Sequence, residues 1–201
     1  MRHAAFLLAG ILVLSTANPA AADRIDVRDL PNHPFVTDIA VNTHLRLYLR
    51  SGDIQILARD DNKLSVRYDG GSTGNFKDLG VRLERSADSA SLELRGGPNR
   101  DMHVTIEVPR STSLFVRMSA GNLELANITG DKDIRLRAGE LIISIGDPKD
   151  YSQIRASVLT GGLEVASLGE SHGGLFRSFT KDGPGKYKLT AHVTAGDLTL
   201  R

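Results

Sequence analysis

The chain has no cysteine and no tryptophan, and aromatic residues make up only 5% of it. Without cysteine there is no disulfide framework and no cysteine to carry an N-terminal lipid, so stability has to come from packing alone. The shortage of aromatics weakens the case for a stacking platform that would hold bases or sugars. An excess of one charge is missing as well, with 25 Lys and Arg against 24 Asp and Glu. That balance argues against nucleic acid and anionic membrane as partners. Metal-ligand spacing is also absent: His33, His44, His103, His172 and His192 include no His-x-x-x-His pair, and no tandem Gly-Gly-x-Gly-x-Asp string occurs. No metal and no cofactor site is therefore expected.

The first 22 residues read as a secretory signal peptide. They carry a basic start at Arg2, an apolar run from Ala4 to Leu14 and the small-residue pattern Ala20-Ala21-Ala22 before Asp23. A retained anchor would need roughly 20 apolar residues, and Ser15, Thr16, Asn18 and Pro19 interrupt the run too early, so no stable membrane insertion is expected after cleavage. Residues 23–40, with Pro31 and Pro34 among mixed charges, read as an irregular N-terminal arm. Residues 41–201 are expected to form a single β-repeat domain, long enough for a sizeable core.

Within that domain one short motif returns: a Gly, a variable residue, then Leu or Ile opening an alternating strand. It occurs at Gly52, Gly121, Gly139, Gly161 and Gly196, as in Gly121-Asn122-Leu123-Glu124-Leu125. Gly130 falls midway between Gly121 and Gly139, which gives a nine-residue beat. These six are the expected structural turn glycines. Period-2 alternation dominates elsewhere, as in Leu45, Leu47, Leu49 and in Val104, Ile106, Val108. Short helical turns are expected only near Thr73 to Leu79 and Pro148 to Ser152. A nine-residue beat leaves no room for a crossover helix, so successive strands either reverse by hairpin or stack by coiling. Like turn residues at matching offsets favour coiling. The expected fold is therefore all-β, a β-solenoid or β-helix-like stack of short strands. Its N-terminal part has longer turns and is open to antiparallel pairing as a cap.

The run Ser51-Gly52-Asp53-Ile54, the pair Val108-Pro109, and Ser119 to Leu123 through Ile128 to Asp131 carry a resemblance. Over about residues 40–201 the chain resembles the bacterial exported β-strand-repeat family of unknown function that bears the label "putative adhesin". The resemblance implies an extracytoplasmic β-helix-like domain. It brings no catalytic residues with it, and Gly-Asn, Gly-Glu and Gly-Gly here replace the Gly-Asp turn.

Candidate chemistry is thin. Asp131 with Asp133, or with Glu140 one coil later, has the residue types of glycosidic acid-base work, but Asp131 follows Gly130 where a turn wants an Asp for its own backbone hydrogen bonds. Gly-x-Ser-x-Gly occurs at residues 70–74 and 169–173 with no helix behind either, so neither reads as a nucleophile elbow. By strand parity His103 and His192 should face solvent. Outward Arg46, Arg50, Arg67, Arg82, Arg117, Arg135 and Arg137 would form ladders that either pair with acids or meet an anionic glycan. Phe176, Arg177 and Phe179 form an ordinary strand, a cap over an open coil end, or a partner contact. The expectation is an exported, non-enzymatic protein that is periplasmic, in the cell envelope or extracellular. It would have a binding or structural role toward an envelope protein or glycan, with a self-assembling scaffold and a carbohydrate-active enzyme as the alternatives.

Overall fold

The computed structural model describes residues 23–40, 42–71, 76–86, 88–98, 102–166 and 170–201. The expected signal peptide lies outside the described residues, as do parts of both Gly-x-Ser-x-Gly strings. Twelve strands form one mixed sheet: β1 (Asp23–Arg28), β2 (Phe35–Asp38), β3 (His44–Arg59), β4 (Lys63–Gly71), β5 (Gly80–Arg85), β6 (Ser89–Arg95), β7 (Met102–Pro109), β8 (Ser113–Ala126), β9 (Lys132–Ile143), β10 (Tyr151–Val165), β11 (Glu170–Asp182) and β12 (Tyr187–Leu200). A single 3-10 turn, Pro148–Asp150, forms at one of the two places expected. The arm expected to be irregular carries β1 and β2, which pair antiparallel with β5 and β4. Ile25 and Val27 alternate with charge there, and the two prolines only break the segment between the two strands.

The middle of the sheet is parallel, in the order β3-β8-β9-β12-β10. β8 and β9 are joined by residues 127–131 alone yet run parallel, with Gly121 beside Gly139, so this connection does not reverse as a hairpin. Antiparallel strands flank the parallel block: β4, β5 and the first two strands at one end, β11 at the other. The last strand, β12, inserts between β9 and β10.

Each long strand changes its inward parity once. In β3, Leu45, Leu47 and Leu49 are buried, then Ile54 and Ile56; in β8, Leu114, Val116 and Met118, then Leu123 and Leu125. An odd step between the two sets would send the second set to solvent on a straight strand, because side chains alternate faces. A bend at the recurrent Gly keeps both sets inside. Gly52, Gly121, Gly139, Gly196 and Gly161 have φ of 127°, 107°, 127°, 132° and 132° and lie side by side across the five parallel strands. A Cβ on Gly121, Gly139, Gly196 or Gly161 would run into the carbonyl oxygen of the neighbouring spine glycine. These positions therefore require glycine twice over, by dihedral and by space. The sequence motif thus marks a bend inside a continuous strand rather than a turn that opens one. Gly130 differs: a Cβ there would meet the Thr112 carbonyl, and the positive φ of that connection, 62°, belongs to Asn127.

The glycine spine divides the sheet into two flanks whose inward side chains share one hydrophobic cluster. Rows of this core run across the strands, for example Ile54, Leu123, Leu141, Leu198 and Leu163. Burial of each such side chain contributes about 1.5–3 kcal/mol.

Candidate functional site

The outer faces of the two flanks differ in charge. On the flank before the spine, three rows cross the parallel strands. The first is Arg46, Phe115, Asp133, Thr190, Arg155; the second is Tyr48, Arg117, Arg135, His192, Ser157; the third is Arg50, Ser119, Arg137, Thr194, Leu159. The flank after the spine presents Asp53, Asn122, Glu140 and Asp197, then Gln55, Glu124 and Glu164. The balanced composition thus conceals a basic face and an acidic face. Their separation follows from parity and register: Arg recurs at the outward positions two, four and six residues before a spine glycine, and Asp53, Glu140 and Asp197 directly follow one.

On the basic flank the central arginine is occupied internally. The Arg117 guanidinium lies 3.6 Å from the Phe115 ring centroid, and it donates to Asp133 carboxylate oxygens at 3.2 Å. Tyr48 meets Phe115 edge-on at 6.4 Å. Arg135 approaches the same carboxylate at 3.7 Å. By contrast, Arg46, Arg50, Arg137 and Arg155 form no side-chain hydrogen bond or ion pair with any described residue. Elsewhere arginines are committed: Arg24, Arg59, Arg67, Arg82, Arg85, Arg110 and Arg201 each hold a carboxylate. Two shallow grooves cut this flank. One of about 290 Å³ is lined by Arg46, Phe115, Asp133 and Lys188 among others; one of about 270 Å³ is lined by Tyr48, Arg50, Glu93, Arg117 and Ser119. The arrangement offers fixed cations and hydroxyls on a rigid parallel sheet, chemistry suited to holding an anionic ligand.

The acidic flank is largely self-satisfied. Asp53 accepts from the Asn122 amide at 2.8 Å and lies 3.3 Å from His103. Asp197 accepts from the Gly162 backbone N–H at 2.8 Å, and Glu124 pairs with Arg201.

A buried charge escaped the sequence reading. Lys132, 2% exposed, occupies the inward row Leu45, Leu114, Lys132, Leu189, Ile154. Its Nζ donates to the Gly130 carbonyl and the Tyr151 hydroxyl, each at 2.9 Å, and the Tyr151 hydroxyl donates to the Ile145 carbonyl at 3.2 Å. Burial pulls the ammonium pKa down to about 8 and pushes the phenol up to about 12. The signal was present in the sequence, since Lys132 shares parity with Ile134 and Leu136.

The remaining candidates are dispersed. Asp131 accepts from the Lys188 backbone N–H at 2.8 Å, so it ties its turn to β12 rather than closing a loop of its own. Asp131 and Asp133 line one groove, while Glu140 lies on the opposite side of the spine. His103 is half exposed; His192 shares a 2.9 Å hydrogen bond with Ser157. Phe176, Arg177 and Phe179 lie on β11, which among the described residues pairs with β10 alone. Phe176 is 77% exposed with φ 55°, whereas Phe179 is buried, so the two rings do not form one surface. The Arg177 Nε is buried without a hydrogen-bond partner. Among the described residues no group of three potential ligands gathers to hold a metal, and no helix is long and apolar enough to cross a membrane.

No family model and no curated protein matches the chain. Among solved structures it is similar to a "putative cell adhesion protein" from Clostridium sporogenes, at 14% identity and a TM-score of 0.51 over 89% of this chain and 98% of the other. A "putative adhesin" from Bacteroides fragilis aligns over 91% of this chain and 99% of the other, at 9% identity and a TM-score of 0.26. The first likeness shows a shared β fold; the second is too distant in shape to add to it.

Proposed function

We propose that this chain is an exported, non-enzymatic binding module of the cell envelope, in which a β-solenoid-like stack of bent strands holds a basic flank rigid for an anionic partner. One observation carries the reading: Arg46, Arg50, Arg137 and Arg155 cluster without carboxylate partners on a face whose neighbours are fixed by parallel pairing, while Arg24, Arg59, Arg67, Arg82, Arg85, Arg110 and Arg201 elsewhere each hold a carboxylate. Unpaired guanidinium groups that stay hydrated and pre-positioned cost little to dock on an anion. The residue pattern of positions 1–22 supports export, and the name of the Clostridium neighbour is consistent with a binding role.

The test is sedimentation of the purified protein with isolated cell envelopes across a salt series. Saturable binding that weakens with salt and drops at least fivefold when all four arginines become Ser is expected. Absent binding, or binding indifferent to the four changes, refutes the reading. The N-terminus of the protein recovered from the cell supplies the export test, with Asp23 expected and an intact Met1 on cell-retained protein overturning it.

A second reading, self-assembly, draws on β11. This edge strand has no outer neighbour among the described residues, and Leu175 and Phe176 are 61% and 77% exposed. Light scattering across a concentration series would show growth into long species if that edge recruits another copy, and a constant monomer mass if it does not.

A further inference from the structure

The third row of the basic flank is distinguished by what it lacks. Across β3, β8, β9 and β12 it reads Arg50, Ser119, Arg137, Thr194, with no carboxylate in the row. The first row contains Asp133, which engages Arg117 and Arg135 and so withdraws them from an incoming anion. Neighbouring strands are about 4.8 Å apart, so Arg50 and Arg137, two strands apart, present cations about 10 Å from each other with a hydroxyl between them and another beyond. This beat runs across the strands, perpendicular to the chain direction. Tyr48, 42% exposed, borders the groove that holds Arg50 and Ser119.

We infer that the ligand of this row is a linear acidic glycan bearing its carboxylate or sulfate on alternate sugars, laid across the strands so that Arg50 and Arg137 take successive acids while Ser119 and Thr194 face the neutral sugars between. The inference rests on the binding role proposed above for this flank and names its chemistry. Guanidinium forks suit carboxylate and sulfate, hydroxyl groups exchange hydrogen bonds with sugar hydroxyls, and the flat Tyr48 ring offers a sugar an apolar face. A nucleic-acid strand would call for several exposed aromatics to stack its bases, and among the described residues of this flank Tyr48 is the one exposed aromatic. A bilayer surface would call for protruding aliphatic side chains, which these three rows lack apart from Leu159 at the far strand.

Calorimetric titration with three glycans of equal length separates the outcomes: an alternating uronate–hexosamine chain, a homopolymeric uronate and an uncharged glucan. The alternating chain is expected to bind tightest per charge. Arg50→Ser and Arg137→Ser are each expected to weaken it at least fivefold and to lower the slope of log affinity against log salt by about one. Lys63→Ser, a charge removed from β4, serves as the control and should change affinity less than twofold. The Arg50/Arg137 double change should lose no more affinity for the glucan than the control does. If the homopolymer binds as well per charge, or anionic vesicles outcompete every glycan, the alternating-glycan assignment fails while an anion-binding flank stands. If no polyanion binds and envelope binding also ignores the four arginines, both readings fail together.

Discussion

Replacing Lys132 with Leu should change how stability responds to pH more clearly than it changes stability at neutrality. Lys132 sits in a row otherwise made of Leu and Ile, and burial brings its pKa from 10.5 to about 8. Between those values the unfolded chain binds the proton that the folded chain has released. Stability therefore rises with pH through the window from 8 to 10.5, and that contribution is lost as pH falls through 8. The change from 10.5 to about 8 corresponds to about 3.4 kcal/mol in full. Of this, about 2.5 kcal/mol appears between pH 7 and pH 10. Tyr151 works in the opposite sense, since its folded pKa of about 12 exceeds the unfolded value of 10, so above pH 10 it erodes stability. A maximum just above pH 10, between the unfolded values of the two groups, follows from them. In Lys132→Leu the rising limb disappears. At pH 7 the variant gains by removing a buried charge and loses by leaving the Gly130 carbonyl and Tyr151 hydroxyl without that donor, about 1–3 kcal/mol for an unsatisfied group, so the net change there is small. Urea unfolding followed by circular dichroism at pH 7, 8, 9 and 10 measures both profiles. Other titrating groups are common to the two proteins and cancel in the difference. Parallel profiles, agreeing within about 0.5 kcal/mol from pH 7 to pH 10, would refute the placement of a charged amine in the core.

Two further outcomes test the backbone. Gly139→Ala forces both a positive φ and a clash with the Gly121 carbonyl, whereas Gly70→Ala at φ 114° meets nothing within 4 Å. Gly70→Ala should therefore cost about 1–2 kcal/mol and Gly139→Ala at least about 3 kcal/mol; equal losses in thermal unfolding would sink the spine argument. Phe176→Gly relieves φ 55° at a side chain that is 77% exposed, so stability should stay level or rise by up to about 1 kcal/mol. A loss beyond 1 kcal/mol would mean that the Phe176 ring packs against the fold.

Much of this could be read along the chain, and what could not has definable causes. The alternation in β3, β7 and β8 reports burial directly because side-chain direction has period 2. The recurrent glycines mark real constraints, but local alternation alone reads each as a turn that opens a strand. The apolar residues before the glycine, such as Met118 and Leu136, belong to the same strand as those after it. Ile25 and Val27 alternate visibly, yet Pro31 and Pro34 close behind them give the segment the composition of an irregular arm. Lys132 was passed over because a charged residue is normally assigned to solvent, although its parity with Ile134 and Leu136 pointed inward.

The sequence alone determined the β class, which residues of each strand point inward and the five recurrent glycine positions, because each depends on residues a few places apart along one strand. Tertiary structure decided the rest. β12 lies between β9 and β10, and the arginines of β3, β9 and β10 share one flank while Asp53, Glu124, Glu140, Glu164 and Asp197 share the other. Strand order and register arise from pairing between residues far apart in the chain, and nothing in the local alternation of a strand specifies which neighbour it will meet.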